Sequence, residues 1–362
     1  MNTTLSFDRA PAGARASAAA TRTADDKAMI RAAADLTREL STPKPAIYWA
    51  DLAVSALVGY GALAVAATAT AAGLMIAAGI VAMLALYRAM SFIHEVSHMK
   101  HAVLPGFRNG WNALVGVPML IPSFMYEGVH NLHHAKTRYG TVEDPEYLPL
   151  ALMKPWTLPV FIIVSALAPV ALLFRFAVLS PLSLLSPRLR KVVMERYSAL
   201  AINPQFRRRM PEGEALRLWN RVEPAASLWA ITLVTLAATG VLPLRAFLVI
   251  LAVASGVAVV NQVRTLVAHL WENEGELMSV TAQYLDTVNV PPPALLPALW
   301  APVGLRYHAL HHLLPSVPYH ALGEAHRRLS AMLEADSPYH RASYPGLPGL
   351  VGRIARSTMI RR

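Results

Sequence analysis

Between Ala46 and Tyr87 the chain carries a single charge, Asp51. That run is about twice the roughly 20 apolar residues one bilayer-spanning helix needs. It predicts two helices, about 47–69 and 71–93, turning near Thr68–Gly73. A second pair is expected at about 225–243 and 246–268, on either side of Gly240, Pro243 and Arg245. Inside lipid every backbone polar group must be satisfied within the segment, so these runs are read as helices. The composition agrees: 55% hydrophobic and 15% charged, with mean hydropathy +0.39, against about 25% charge in an ordinary soluble domain. Disordered, collagen-like and disulfide-stapled chains are excluded by the same figures.

A fifth apolar run, Trp156–Leu185, contains Pro159, Pro169, Pro181 and Arg175. It is expected to be broken, entering and leaving on one side or lying in the interface. The net charge of +11 concentrates in the N-terminal tail, in Arg188–Arg221 and beyond Arg306. Placed at the ends of apolar runs, it reads as membrane orientation rather than nucleic-acid binding, with both termini cytoplasmic. No secretory signal opens the chain. Pro11 and Gly13 suggest a loose start, and Met29, Ile30, Ala33, Leu36 and Leu40 fall at helical spacing. That helix suits a membrane surface or a solvated tail equally well. Gly59-Tyr60-Gly61 begins a formal dinucleotide fingerprint, but it lies in a spanning run with no strand before it. Close helix packing explains it better.

The fold expected is thus all-α and polytopic: four transmembrane helices, interfacial or re-entrant helices and a cytoplasmic His-rich cap. Residues 1–45 form an N-terminal tail, 46–330 the membrane domain and 331–362 a basic C-terminal tail.

Ten of the 13 histidines fall in four places. His94 and His98, with His101 behind them, follow the second run. His130, His133 and His134 come next, His269 closes the fourth run, and His308, His311 and His312 lie past it. Positions i and i+4 of a helix share a face, so such pairs can hold one metal. There is no cysteine, which excludes thiolate metal sites and iron–sulfur clusters. Imidazole suits iron, copper and zinc. Nine imidazoles exceed one tetrahedral ion and suit two six-coordinate ions with open positions. A dinuclear non-haem iron centre that activates oxygen fits best.

The three boxes, Arg264-Thr265 with His269, and the stretch YHALHHLLPSVPYH at 307–320 resemble the membrane-bound fatty acid desaturase superfamily. The resemblance runs from about residue 45 to 330. It implies two irons ligated by His94, His98, His130, His133, His134, His269, His308, His311 and His312, with dioxygen as co-substrate. It further implies desaturation of a lipid acyl chain, with electrons from a separate ferredoxin- or cytochrome-like carrier and its reductase. Glu95 departs from the eukaryotic first box, and His308 stands where front-end members carry glutamine. His101, His320, His326 and His340 match no ligand position. Glu95, Glu143 and Asp144 are candidates to orient the ligand imidazoles. Asn261, two turns before His269 on an assumed common helix face, could hold a metal-bound water. A bacterial inner membrane is the expected location.

The same histidines also serve hydroxylases and ketolases of alkyl, sphingolipid or carotenoid substrates, the principal alternative. His94-Glu95-Val96-Ser97-His98 formally matches a zinc-protease helix, a remote alternative that leaves seven ligand histidines without a role. A metal transporter would place polar groups near mid-membrane, whereas these cluster at run ends.

Overall fold

The computed structural model describes residues 23–100 and 102–360, the side chains of 359 and 360 apart. His101, Pro11 and Gly13 lie outside the described residues. Within them the structure is helical, with isolated β-bridges and no strand, as the sequence predicts. The principal helices are α1 (Lys27–Leu40), α2 (Pro45–Thr68), α3 (Ala72–His98), α4 (His130–His133), α5 (Thr157–Ser183), α6 (Pro187–Arg196), α7 (Gly213–Ala238), α8 (Leu244–Leu266), α9 (Val280–Asp286), α10 (His308–Leu313), α11 (Leu322–Met332) and α12 (Leu347–Ala355). The chain divides into two compact units. One comprises residues 43–131 and 163–262. The other comprises the chain up to 42, 132–162 and 263–362.

Among the described residues, four helices are long and apolar enough to cross a bilayer: α2, α3, α5 and α8. With the family assignment below, this makes the protein a multi-pass membrane protein. Two details differ from the sequence expectation. The Trp156–Leu185 run is one continuous helical stretch instead of a broken segment. Its α-helical pieces restart after a 3-10 turn at Val164–Leu167 and a π-turn at Arg175–Leu179. Pro169 and Pro181 each fall in the first turn of a restarted piece, where no intrahelical N–H is needed. Conversely α7, expected to span, carries Glu214, Arg217, Arg221 and Glu223 in its first half. That leaves residues 224–238 uncharged, fewer than the roughly 20 a span requires.

In the first unit α2 and α3 pack through glycine. A Cβ on Gly59 would sit 2.7 Å from Leu86 Cδ2 and 3.1 Å from the Leu86 backbone nitrogen, so a larger residue would force the helices apart. This agrees with the packing reading of the Gly59-Tyr60-Gly61 motif. Asp51, the charge that interrupts the apolar run, accepts two bonds from Arg88 of α3, at 2.7 and 2.5 Å. Burial without a partner would be costly for either group. Arg175 of α5 is likewise anchored by Glu223 of α7 at 2.7 Å, and Trp219 donates to the same carboxylate at 2.8 Å. Leu57 is 76% exposed and Leu228 67%, as lipid-facing residues are when no lipid is counted.

In the second unit α1 is capped by Asp26, whose carboxylate accepts from the Ala28 and Met29 amides. Its face of Met29, Ala33 and Leu36 is buried in a core with Tyr284, Leu310, Leu322 and Leu329. The amphipathic stripe therefore serves protein packing rather than a membrane surface or a solvated tail. Residues 331–362, expected as a tail, also supply buried side chains: Tyr339, Ala342, Leu350 and Ile354.

Candidate metal centre

Nothing interrupts helical propensity over the last three turns of α3, so the helix continues to His98, with its C-cap at Met99. His94 and His98 thereby share a face, their ring centroids 5.0 Å apart. His130 completes a triad at 4.7 and 4.8 Å from them, and their donor nitrogens lie within 4.8 Å of one another. The Tyr126 hydroxyl meets His130 Nδ1 at 2.8 Å. Glu95, 5% exposed, lies with one oxygen 3.8 Å from His94 Nδ1 and accepts a hydrogen bond from the buried Tyr48 hydroxyl on α2.

The other unit gathers His133, His269, His308 and His312, with donor nitrogens again within 4.8 Å. Backbone pairing holds them. The Leu270 amide donates to the Asp286 carbonyl at 2.7 Å, and Val288 to Ala268 at 3.0 Å, with His269 bridged to Thr287 between them. The Ala309 amide donates to the Val288 carbonyl at 3.1 Å, which ties the start of α10 to the same ladder. Asn289, fully buried, accepts from the Leu310 amide through its side chain at 3.0 Å. Its backbone pairs with Ala342 and Tyr344 at 2.8 Å each. Trp271, two residues past His269, holds a left-handed backbone at φ 63°. A buried non-glycine residue persists there only because its surroundings impose it, here with its indole donating to the Leu266 carbonyl at 2.7 Å.

Each ring of this group but His312 is held from behind at Nδ1. Both carboxylate oxygens of Asp144 lie 2.9–3.0 Å from His133 Nδ1. The Asp144 carboxylate itself accepts from the Gly140 and Glu146 amides at 2.8 Å. Gly140 has φ 69°, and a Cβ there would meet Asn273 Nδ2 at 2.6 Å, so this loop requires glycine. The Tyr139 hydroxyl lies 2.9 Å from His269 Nδ1 and donates to Asp286 at 2.7 Å. Arg264 meets His308 Nδ1 at 3.1 Å. His134 and His311, in the same unit, face each other Nε2 to Nε2 at 3.2 Å.

Burial holds His269, His308 and His312 well below the usual histidine range, reinforced by repulsion from neighbouring imidazoles, His133 among them for each, and, for His269 and His308, by Arg264. Burial also works to lower His133, but the Asp144 carboxylate outweighs it and raises the imidazole. Burial pushes Asp286 up to about 7. Neutral imidazoles are the form that binds metal. The geometry fits an ion. Two nitrogens each ~2.1 Å from a common metal, at tetrahedral or octahedral angles, lie about 3.0–3.4 Å apart. His308 Nε2 is 3.0 Å from His269 Nε2 and 3.2 Å from His312 Nε2.

All nine sequence-predicted ligand histidines fall in these groups. Of the four residues expected to support them, Asp144 touches a ring and Glu95 lies beside one. Glu143 does not: its side chain is 64% exposed and pairs with Arg138 at 3.4 Å. The reading of Asn261 is corrected too. Helix α8 ends at Leu266, so Asn261 and His269 share no helix face. His326 bonds Tyr339 at 2.8 Å and His340 meets the Glu334 carbonyl at 3.1 Å, and neither belongs to a metal group. Sequence reasoning missed Tyr126, Tyr139, Asp286 and Asn289. Only Tyr126, four residues before His130, had a local signal.

The family model for fatty acid desaturase matches residues 67–344. The chain is 51% identical over 335 residues to a ceramide hydroxylase of Caulobacter vibrioides (strain NA1000 / CB15N), covering 92% of this chain and 95% of that one. No solved structure matches. Over most of its length, including every histidine described above, this chain is a member of the fatty acid desaturase family of membrane oxidoreductases.

Proposed function

We propose that the protein hydroxylates a ceramide-type lipid, using dioxygen and a pair of non-haem irons. The observation that carries this reading is its likeness to the Caulobacter ceramide hydroxylase over nearly the whole of both chains. The sequence alone favoured desaturation, with hydroxylation as the alternative. The relative's activity moves the balance to hydroxylation.

One iron is assigned to His133, His269, His308 and His312. The other is assigned to His94, His98 and His130, which sit together at the end of α3 and the start of α4. Bound iron would supply oxygen activation. The overall balance is a lipid C–H bond, dioxygen, two electrons and two protons giving C–OH and water.

The chain's own residues hold the imidazoles by Asp144, Tyr139, Tyr126 and Arg264 and keep the rings dry, which fixes the site before substrate arrives. The sequence offers no flavin, haem or iron–sulfur motif. The electrons are therefore assigned to a separate carrier. The basic stretch Arg188–Arg221 suits an acidic one.

Expression in a ceramide-producing host without such a hydroxylase, followed by lipid mass spectrometry, tests the reading. Ceramides one oxygen heavier are expected. Species two hydrogens lighter would instead establish a desaturase.

A further inference from the structure

Asp144 braces His133 directly, but the carboxylate behind His269 acts at one remove. Tyr139 stands between them, 2.9 Å from His269 Nδ1 and 2.7 Å from Asp286. All three side chains are buried. A phenol has one proton to give. An ionised Asp286 only accepts, so the Tyr139 proton goes to its Oδ2. Toward His269 the phenolic oxygen must then accept, so His269 carries its proton on Nδ1. That leaves Nε2 bare, and Nε2 is the atom turned to His308 Nε2 at 3.0 Å.

The direction of two hydrogen bonds thus selects the tautomer that can bind metal. Tyr147 provides an internal contrast. It also lies near enough to Asp286 to act on its ionisation and accepts from the Asn273 amide at 3.1 Å, yet it makes no hydrogen bond to an imidazole. Its ring lies 6.0 Å from that of His269.

We propose that Tyr139 is a positioning residue which, oriented by Asp286, fixes His269 as an Nε2 ligand; this rests on the metal reading of the site. Removing the Tyr139 hydroxyl frees His269 to choose either tautomer and rotate. Exchanging Asp286 for asparagine keeps the shape but offers an N–H to the phenolic oxygen. Tyr139 can then donate to His269 Nδ1 and place the proton on Nε2, the wrong nitrogen. In Ser-His-Asp proteases the same exchange behind a histidine traps the wrong tautomer and costs about 10⁴ in rate.

The test uses the full-length protein in detergent, stripped with a chelator and titrated with Co²⁺. Visible absorption reports coordination, and the bound ions are counted. Wild type is expected to take up two ions. In Tyr139→Phe, one ion should weaken by about 10–100-fold, the usual loss when a group behind a metal ligand is removed, while the other is unchanged. Asp286→Asn should weaken the same ion and remains informative if Tyr139→Phe fails to fold. Tyr147→Phe removes a buried hydroxyl close to the same carboxylate and should bind both ions as wild type does. Equal losses in Tyr139→Phe and Tyr147→Phe, or none in Tyr139→Phe and Asp286→Asn, would overturn the proposal. Wild type binding no ion would sink the metal reading, and this assignment with it.

Discussion

Adjacent acidic residues in one loop end in opposite environments, and the difference is decided by backbone. The left-handed turn at Gly140 presents amides to Asp144, which is fully buried against His133, while Glu143 next to it projects into solvent. Asp144→Asn is therefore expected to lower metal affinity about 10–100-fold, and Glu143→Gln to leave it unchanged. Iron content of the two purified variants checks this. Comparable loss in both would contradict the assignment. The histidines were legible because i, i+3 and i+4 spacing is a local property of the chain. Tyr139 and Asp286 were not. They are 147 positions apart, and a lone tyrosine and aspartate carry no spacing signal. Asn261 illustrates the converse error. The periodicity argument assumed a helix through His269, but α8 stops at Leu266, and His269 is placed by its bridge to Thr287.

At the scale of elements, hydropathy identified α2, α3 and α8 as long and apolar enough to cross. Against the expectation, α5 is long and apolar enough to cross, while α7 is not among the helices that are. Proline was read as a breaker without regard to its place in a turn, and α7's apolar half is short. The amphipathic stripe of α1 was visible in sequence, but a stripe does not say whether lipid or protein covers it. Here the capped helix packs on Tyr284, Leu310 and Leu329. The orientation proposed from the positive charges is that both termini and the first histidine box face the cytoplasm. Reporter fusions after Gly110 and Arg362 should read cytoplasmic, and one inserted at Thr70 external. Gly110 and Thr70 on the same side would show that α3 does not cross.

For the whole molecule, the buried histidines set a pH window. His269, His308 and His312 are held below the unfolded value of ~6.5. The unfolded chain therefore binds more protons there. The stability they confer is present above pH ~6.5 and lost as pH falls below it. His133 and Asp286, held above their usual values, act oppositely. Their contributions fade as pH rises through the folded values, about 7 for Asp286. The chelator-stripped protein should therefore have a melting midpoint that is highest near neutrality and drops toward pH ~5. The loaded protein should lose iron over the same acid range as protons compete for Nε2. A midpoint unchanged between pH ~7 and ~5 would show that the imidazoles are not held neutral by the fold. The central claim, hydroxylation by dioxygen at this site, is tested most directly by supplying the purified, iron-loaded protein with ceramide, a reductant and isotopically heavy oxygen gas. Hydroxyceramide carrying the heavy oxygen in its new hydroxyl is the result expected. A hydroxyl labelled from water, or a product short of two hydrogens with no oxygen added, would contradict it.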